Sequence, residues 1–135
     1  MRDGFDPIAG VEAWQLSNPP ILSMAAIKAS LEIFDEVGIA HLRKKSLLLT
    51  GYLEYLVDEI KDERIAIITP RDTKQRGCQL SIQVKSADKA LFDKITKAGV
   101  IADWREPDVI RVAPIPLYNS FEDVWRFAEL LKANL

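Results

Sequence analysis

The chain has 135 residues, 48% of them hydrophobic and 28% charged, with a formal net charge of −2. That length suits one domain able to bury roughly 70% of its unfolded surface, and that charge argues against a nucleic-acid or membrane-surface binder, which is usually basic. A single cysteine, Cys78, excludes an internal disulfide and fits a reducing compartment. No apolar run approaches the ~20 residues that cross a bilayer. The opening MRDGFDPIAGVEAW lacks the basic and apolar regions of a signal peptide, so a cytoplasmic location is expected.

Residues 1–17 have no clear period and are expected to form an extended lead-in, with the domain proper running over 18–135. In SNPPI, Asn18 is a good N-cap residue, and prolines are tolerated in a first helical turn. Met24, Ile27, Leu31 and Phe34 then recur at helical spacing up to a stop at Gly38. A second, long helix is predicted from about Ile39 to about Asp62, with the stripe Leu42, Leu49, Leu53, Leu56 and Ile60. RIAIIT reads as a strand ended by Pro70, and PRDTKQRG as a polar loop carrying Arg71, Lys74 and Arg76 as exposed donors.

CQLSIQV alternates: Cys78, Leu80, Ile82 and Val84 on one face, Gln79, Ser81 and Gln83 on the other. One dry face and one wet face are what an antiparallel sheet covered on one side requires. Ser86 is expected to cap a third helix with Leu91, Phe92, Ile95 and Ala98 inward. VIADW and VIRVA are two further strands joined around REPD, and Ser120 with Asp123 resembles a capping box for a last helix. The order α-α-β-β-α-β-β-α predicts an α+β fold: a mostly antiparallel sheet of about four strands with helices on one face, preceded by a long helix.

Most candidate reactive groups have plain explanations. His41 is the only histidine and has no ligand at metal spacing, so no metal site is expected. Cys78 has no helix N-terminus or histidine to lower its pKa. Arg43, Lys44 and Lys45 read as the solvated side of an amphipathic helix. Arg111 is different: alternation turns it away from Ile110 and Val112, and Pro114 and Pro116 stiffen the chain just beyond it. Two roles stay open for it. One is a structural ion pair with a carboxylate such as Asp103 or Asp108. The other is a planar fork that grips a ligand carboxylate.

The stretch IRVAPIPLYNSFEDVWRF resembles the C-terminal signature of the kynureninase family. LSNPPI, ASLEIFDEVG, LRKKSLLLTGYLEYL, ITPRDTKQRGCQLSI and GVIADWREPDVIRVAP agree with it in the same order, so the resemblance runs from about residue 14 to the end. It implies the small C-terminal domain of a pyridoxal-phosphate enzyme of the aspartate-aminotransferase-like (fold type I) class. That enzyme is a homodimer that hydrolyses L-kynurenine or 3-hydroxykynurenine to anthranilate or 3-hydroxyanthranilate and L-alanine, in tryptophan degradation and the route to NAD. Carried over by position, the resemblance makes Arg111 the holder of the substrate α-carboxylate. It places Asn18 near substrate and cofactor, with Ser17 beside it. The Schiff-base lysine and its large domain have no matching motif among these residues, so the chain alone is expected to be inactive. The alternatives are the small domain of a cysteine desulfurase or aminotransferase, or a free-standing amino-acid-binding or dimerisation module.

Overall fold

The computed structural model describes residue 4 and residues 6–135, so residues 1–3 and 5 of the expected lead-in lie outside the described residues. The chain divides into two compact units, Met1–Gly38 and Ile39–Leu135. The first holds a short 3-10 turn, Val11–Trp14, and helix α1, Ile21–Val37. The helix begins later than the sequence suggests. Its N-cap is Pro20, with no side-chain cap, and Asn18 lies outside it. The reason is steric: a residue before proline is pushed out of the helical region, and Asn18 and Pro19 both precede prolines. The first helical hydrogen bond therefore runs from Met24 N to Pro20 O. Gly38 ends the helix as expected, donating to Phe34 O at φ 80°, a backbone angle that costs glycine little. None of the helix is buried: Met24, Ile27, Leu31 and Phe34 all face solvent.

The second unit is built on helix α2, Ile39–Glu59, about 31 Å long at 1.5 Å per residue. Leu42, Leu49, Leu53 and Val57 form its buried stripe, with Leu56 and Ile60 partly buried beside them. Strands β1 (Ile65–Ile67), β2 (Leu80–Val84), β3 (Asp103–Arg105) and β4 (Val109–Val112) make one fully antiparallel sheet in the order β1-β2-β4-β3. Helices α3 (Lys89–Lys97) and α4 (Phe121–Ala133) complete the unit. The α+β architecture is the one expected.

Alternation decides the two faces of the sheet. Leu80, Ile82, Val84, Ile110 and Val112 are buried in one cluster with Leu49 and Leu53 of α2, Leu91 and Ile95 of α3, and Val124, Phe127 and Leu131 of α4. Helices therefore cover one face. Ser81, Gln83 and Arg111 point the other way and stay partly exposed.

Two strands are shorter than their apolar runs. Val100 N closes onto Ile95 O at the end of α3, and Ile101 is 99% exposed, so β3 starts only at Asp103. β1 ends at Ile67 because the Thr69 hydroxyl, rather than a main-chain carbonyl, accepts from Ser81 N at 2.8 Å. Cys78 is half-buried and lies before β2. Ser86 does not cap α3. It turns through φ 63°, and Asp88 takes the role, accepting from Ala90 N at 2.9 Å. The capping box on α4 forms as read: Asp123 N donates to Ser120 Oγ at 3.2 Å, and Ser120 N donates to Asp123 Oδ2 at 2.8 Å.

Candidate functional site

Strand pairing places Arg111 between Asp103 of β3 and Ser81 of β2, each its direct cross-strand neighbour. Its side chain is 32% exposed on the face turned away from α2, α3 and α4, while Ile110 and Val112 on either side are buried. The burial of these two neighbours fixes which way Arg111 points. Arg111 Nε donates to Asp103 Oδ2 at 2.8 Å, and Nη2 donates to the same oxygen. Arg105 Nε also reaches that oxygen, at 3.0 Å. Asp108, the other carboxylate within reach in the sequence, accepts instead from Gln83 Nε2 at 3.2 Å. The ion-pair partner of Arg111 is thus Asp103, which is 45% exposed.

The hydrogen bond from Arg111 holds the Asp103 carboxyl below its ordinary value; desolvation opposes this, and the Arg105 charge adds to it. A lowered folded pKa means that the stabilisation is present above the unfolded value of 3.8 and is lost as pH falls through the folded one. Arg111→Gln removes the main cause, so the Asp103 titration should move up toward 3.8. A carbon NMR titration of its carboxyl checks this; an unmoved midpoint would mean that the pair is not formed in solution.

The chain beyond β4 is pinned in two ways. Asn119 Oδ1 accepts from Ile115 N at 2.8 Å, and Lys45 Nζ of α2 donates to Pro116 O at 2.8 Å. Asn119 is therefore spent on the turn, whereas Tyr118 is exposed. A cleft of about 500 Å³ opens nearby, floored by Leu53, Val112, Val124 and Phe127 and rimmed by Tyr118 and Arg126. Arg111 is not among its lining residues. Ser17 and Asn18 are exposed ahead of α1, in the first compact unit, whereas Arg111 belongs to the second.

The basic loop departs from its expected solvated state. Arg76, read from the sequence as an exposed donor, has a side chain only 3% exposed and paired with Glu54 of α2. Arg71 forks onto Asp58 at 2.8 and 2.9 Å and also reaches Glu54. Arg43 donates to Thr73 O and so ties the loop to α2 from a second point. The polar composition of the loop concealed this, because an acidic α2 face draws it in. Glu54 and Asp58, four residues apart, were the signal available in the sequence.

The family model for the kynureninase C-terminal domain matches residues 42–131. This chain belongs to the kynureninase family. The kynureninase of Koribacter versatilis is 55% identical over 135 residues, covering 100% of this chain and 32% of that protein. The Myxococcus xanthus kynureninase is 52% identical over 134 residues, covering 99% and 32%. That of Xanthomonas euvesicatoria is 50% identical over 136 residues, covering 98% and 32%. The chain spans about a third of the length of the curated relatives it matches.

The family's pyridoxal phosphate needs a lysine free to form a Schiff base and an acid facing the pyridine nitrogen. Lys28, Lys44 and Lys45 do not fit. Lys28 pairs with Glu32 on the surface of α1, Lys44 is exposed, and Lys45 is bound to Pro116 O. Among the described residues, no cluster of three metal-ligating side chains occurs, and no helix is long and apolar enough to cross a membrane.

Proposed function

We propose that this chain serves a kynureninase by gripping the α-carboxylate of its amino-acid substrate through Arg111. The complete enzyme would cleave L-kynurenine or 3-hydroxykynurenine with water, yielding anthranilate or 3-hydroxyanthranilate and L-alanine. It would do so in the cytoplasm, as a homodimer, in tryptophan degradation and the supply of NAD. The similarity to a kynureninase at 55% identity over the whole chain carries this reading. Arg111 supports it in detail, being a permanent cation held partly exposed on a rigid strand.

The division of labour follows from chemistry. Breaking the Cβ–Cγ bond of an amino acid needs an electron sink, which pyridoxal phosphate supplies in this family. We assign the cofactor lysine to polypeptide outside these residues. What Arg111 contributes is orientation: a carboxylate fixed at one end of the substrate limits rotation of the bond to be broken. By the same family resemblance, Asn18 and Ser17 are proposed as substrate-binding residues, with Asn18 also serving the cofactor.

The complete polypeptide carrying this segment is expected to release anthranilate from L-kynurenine, followed by anthranilate fluorescence. Amino-group transfer to a keto acid without anthranilate would place the enzyme among aminotransferases instead and overturn the proposal.

A further inference from the structure

A guanidinium has two edges that can each grip a carboxylate, Nε–Nη2 and Nη1–Nη2. In Arg111 the first edge is taken: Nε and Nη2 both run to Asp103 Oδ2. Asp103 is itself held. It sits directly across from Arg111 in the sheet, and Arg105, two residues along the same strand, closes on the same oxygen through Nε and Nη2, both at 3.0 Å. Two cations therefore share one carboxylate, so the cluster keeps a surplus positive charge rather than being neutralised. On its other side Arg111 faces Ser81, a small residue. Asp108 is engaged by Gln83 and leaves the arginine to Asp103.

We propose that Asp103 is a positioning residue for the substrate: by holding the Nε–Nη2 edge of Arg111, it aims the Nη1–Nη2 edge at the α-carboxylate. This rests on the carboxylate-binding role proposed for Arg111. An arginine side chain carries several rotatable bonds, and ordering them at the moment of binding costs affinity. Asp103 orders them beforehand. Arg105 makes this possible without cancelling the charge that attracts the substrate.

The test uses the full-length enzyme with the variants Asp103→Asn, Asp103→Glu and Arg111→Ala. Asp103→Asn should raise KM for L-kynurenine roughly tenfold, as loss of a supporting partner around a binding group commonly does, with a smaller change in kcat. The decarboxylated amine of L-kynurenine, measured as a competitive inhibitor, should bind wild type and Asp103→Asn equally. A merely structural role would weaken both ligands alike, so equal losses overturn the proposal. Asp103→Glu keeps the charge and should recover part of the KM. If Asp103→Asn lowers the melting temperature as well, the ratio of the two ligands still separates aim from stability. An unchanged or lower KM in Asp103→Asn, with Arg111→Ala impaired, refutes the positioning role alone. Wild-type KM in Arg111→Ala refutes the carboxylate role on which it stands.

Discussion

Arg111→Lys in the full-length enzyme should lose about a hundredfold in kcat/KM, or about 2.7 kcal/mol at 1.36 kcal/mol per decade. Lysine keeps the charge but replaces a planar fork with a compact ammonium. It could still pair with Asp103, yet it could not hold Asp103 and a substrate carboxylate through two separate edges. Hydrogen bonds to charged groups contribute about 1.5–3 kcal/mol each, so losing one of the two aligned bonds accounts for the size of the effect. Stability should change little, because the Arg111 side chain is 32% exposed and its partner 45%, and solvent screens a pair this exposed. The measurement is steady-state kinetics alongside a thermal melt. Wild-type kinetics would refute the substrate role, and a collapsed melt with no specific kinetic defect would make Arg111 structural.

The larger stability effect is expected at Glu54. Its side chain is 14% exposed, and its partner Arg76 is 3% exposed. Arg76 Nη1 is buried without a described hydrogen-bond partner, so Glu54 carries most of the compensation for this cation. Removing one member of a buried pair leaves an uncompensated charge, at about 3–5 kcal/mol. Glu54→Ala should therefore lower the melting temperature of the 135-residue chain by roughly 10 °C or more, given the usual dependence for a unit of this size. Asp58→Ala makes the contrast. Asp58 and Arg71 are each 53% exposed, so that loss should stay within about 1 kcal/mol. The double variant Glu54→Ala/Arg76→Met should recover much of the loss, since an apolar side chain can fill the site without a charge to compensate. If Glu54→Ala melts like the parent chain, the loop opens at little cost and Arg76 is solvated in solution.

Much of the fold was legible in residue order. Period-two alternation named the dry face of β2 and turned Arg111 to the wet one. The Ser120–Asp123 pair announced the start of α4, and successive segments from LSNPPI to IRVAPIPLYNSFEDVWRF carried the family resemblance. These signals are local: each depends on residues a few positions apart, which strand pleat or helical pitch converts directly into a shared face. Helix starts were less legible where two local preferences competed, as where the proline pair removed Asn18 from the cap, or where Ser86 entered a left-handed turn and left the cap to Asp88.

Other features depended on long-range pairing. Residue order left Asp103 and Asp108 equally available to Arg111, and the β3–β4 register chose between them by setting Asp103 directly opposite. Likewise, nothing within PRDTKQRG distinguishes Arg76 from its exposed neighbours. Its burial comes from Glu54, a residue 22 positions earlier on another element. Chemical type and face are properties a short segment carries within itself. Which charge meets which is a property of the assembled sheet and helices, because electrostatic partners are chosen by distance in space, and that distance exists only after the chain has folded.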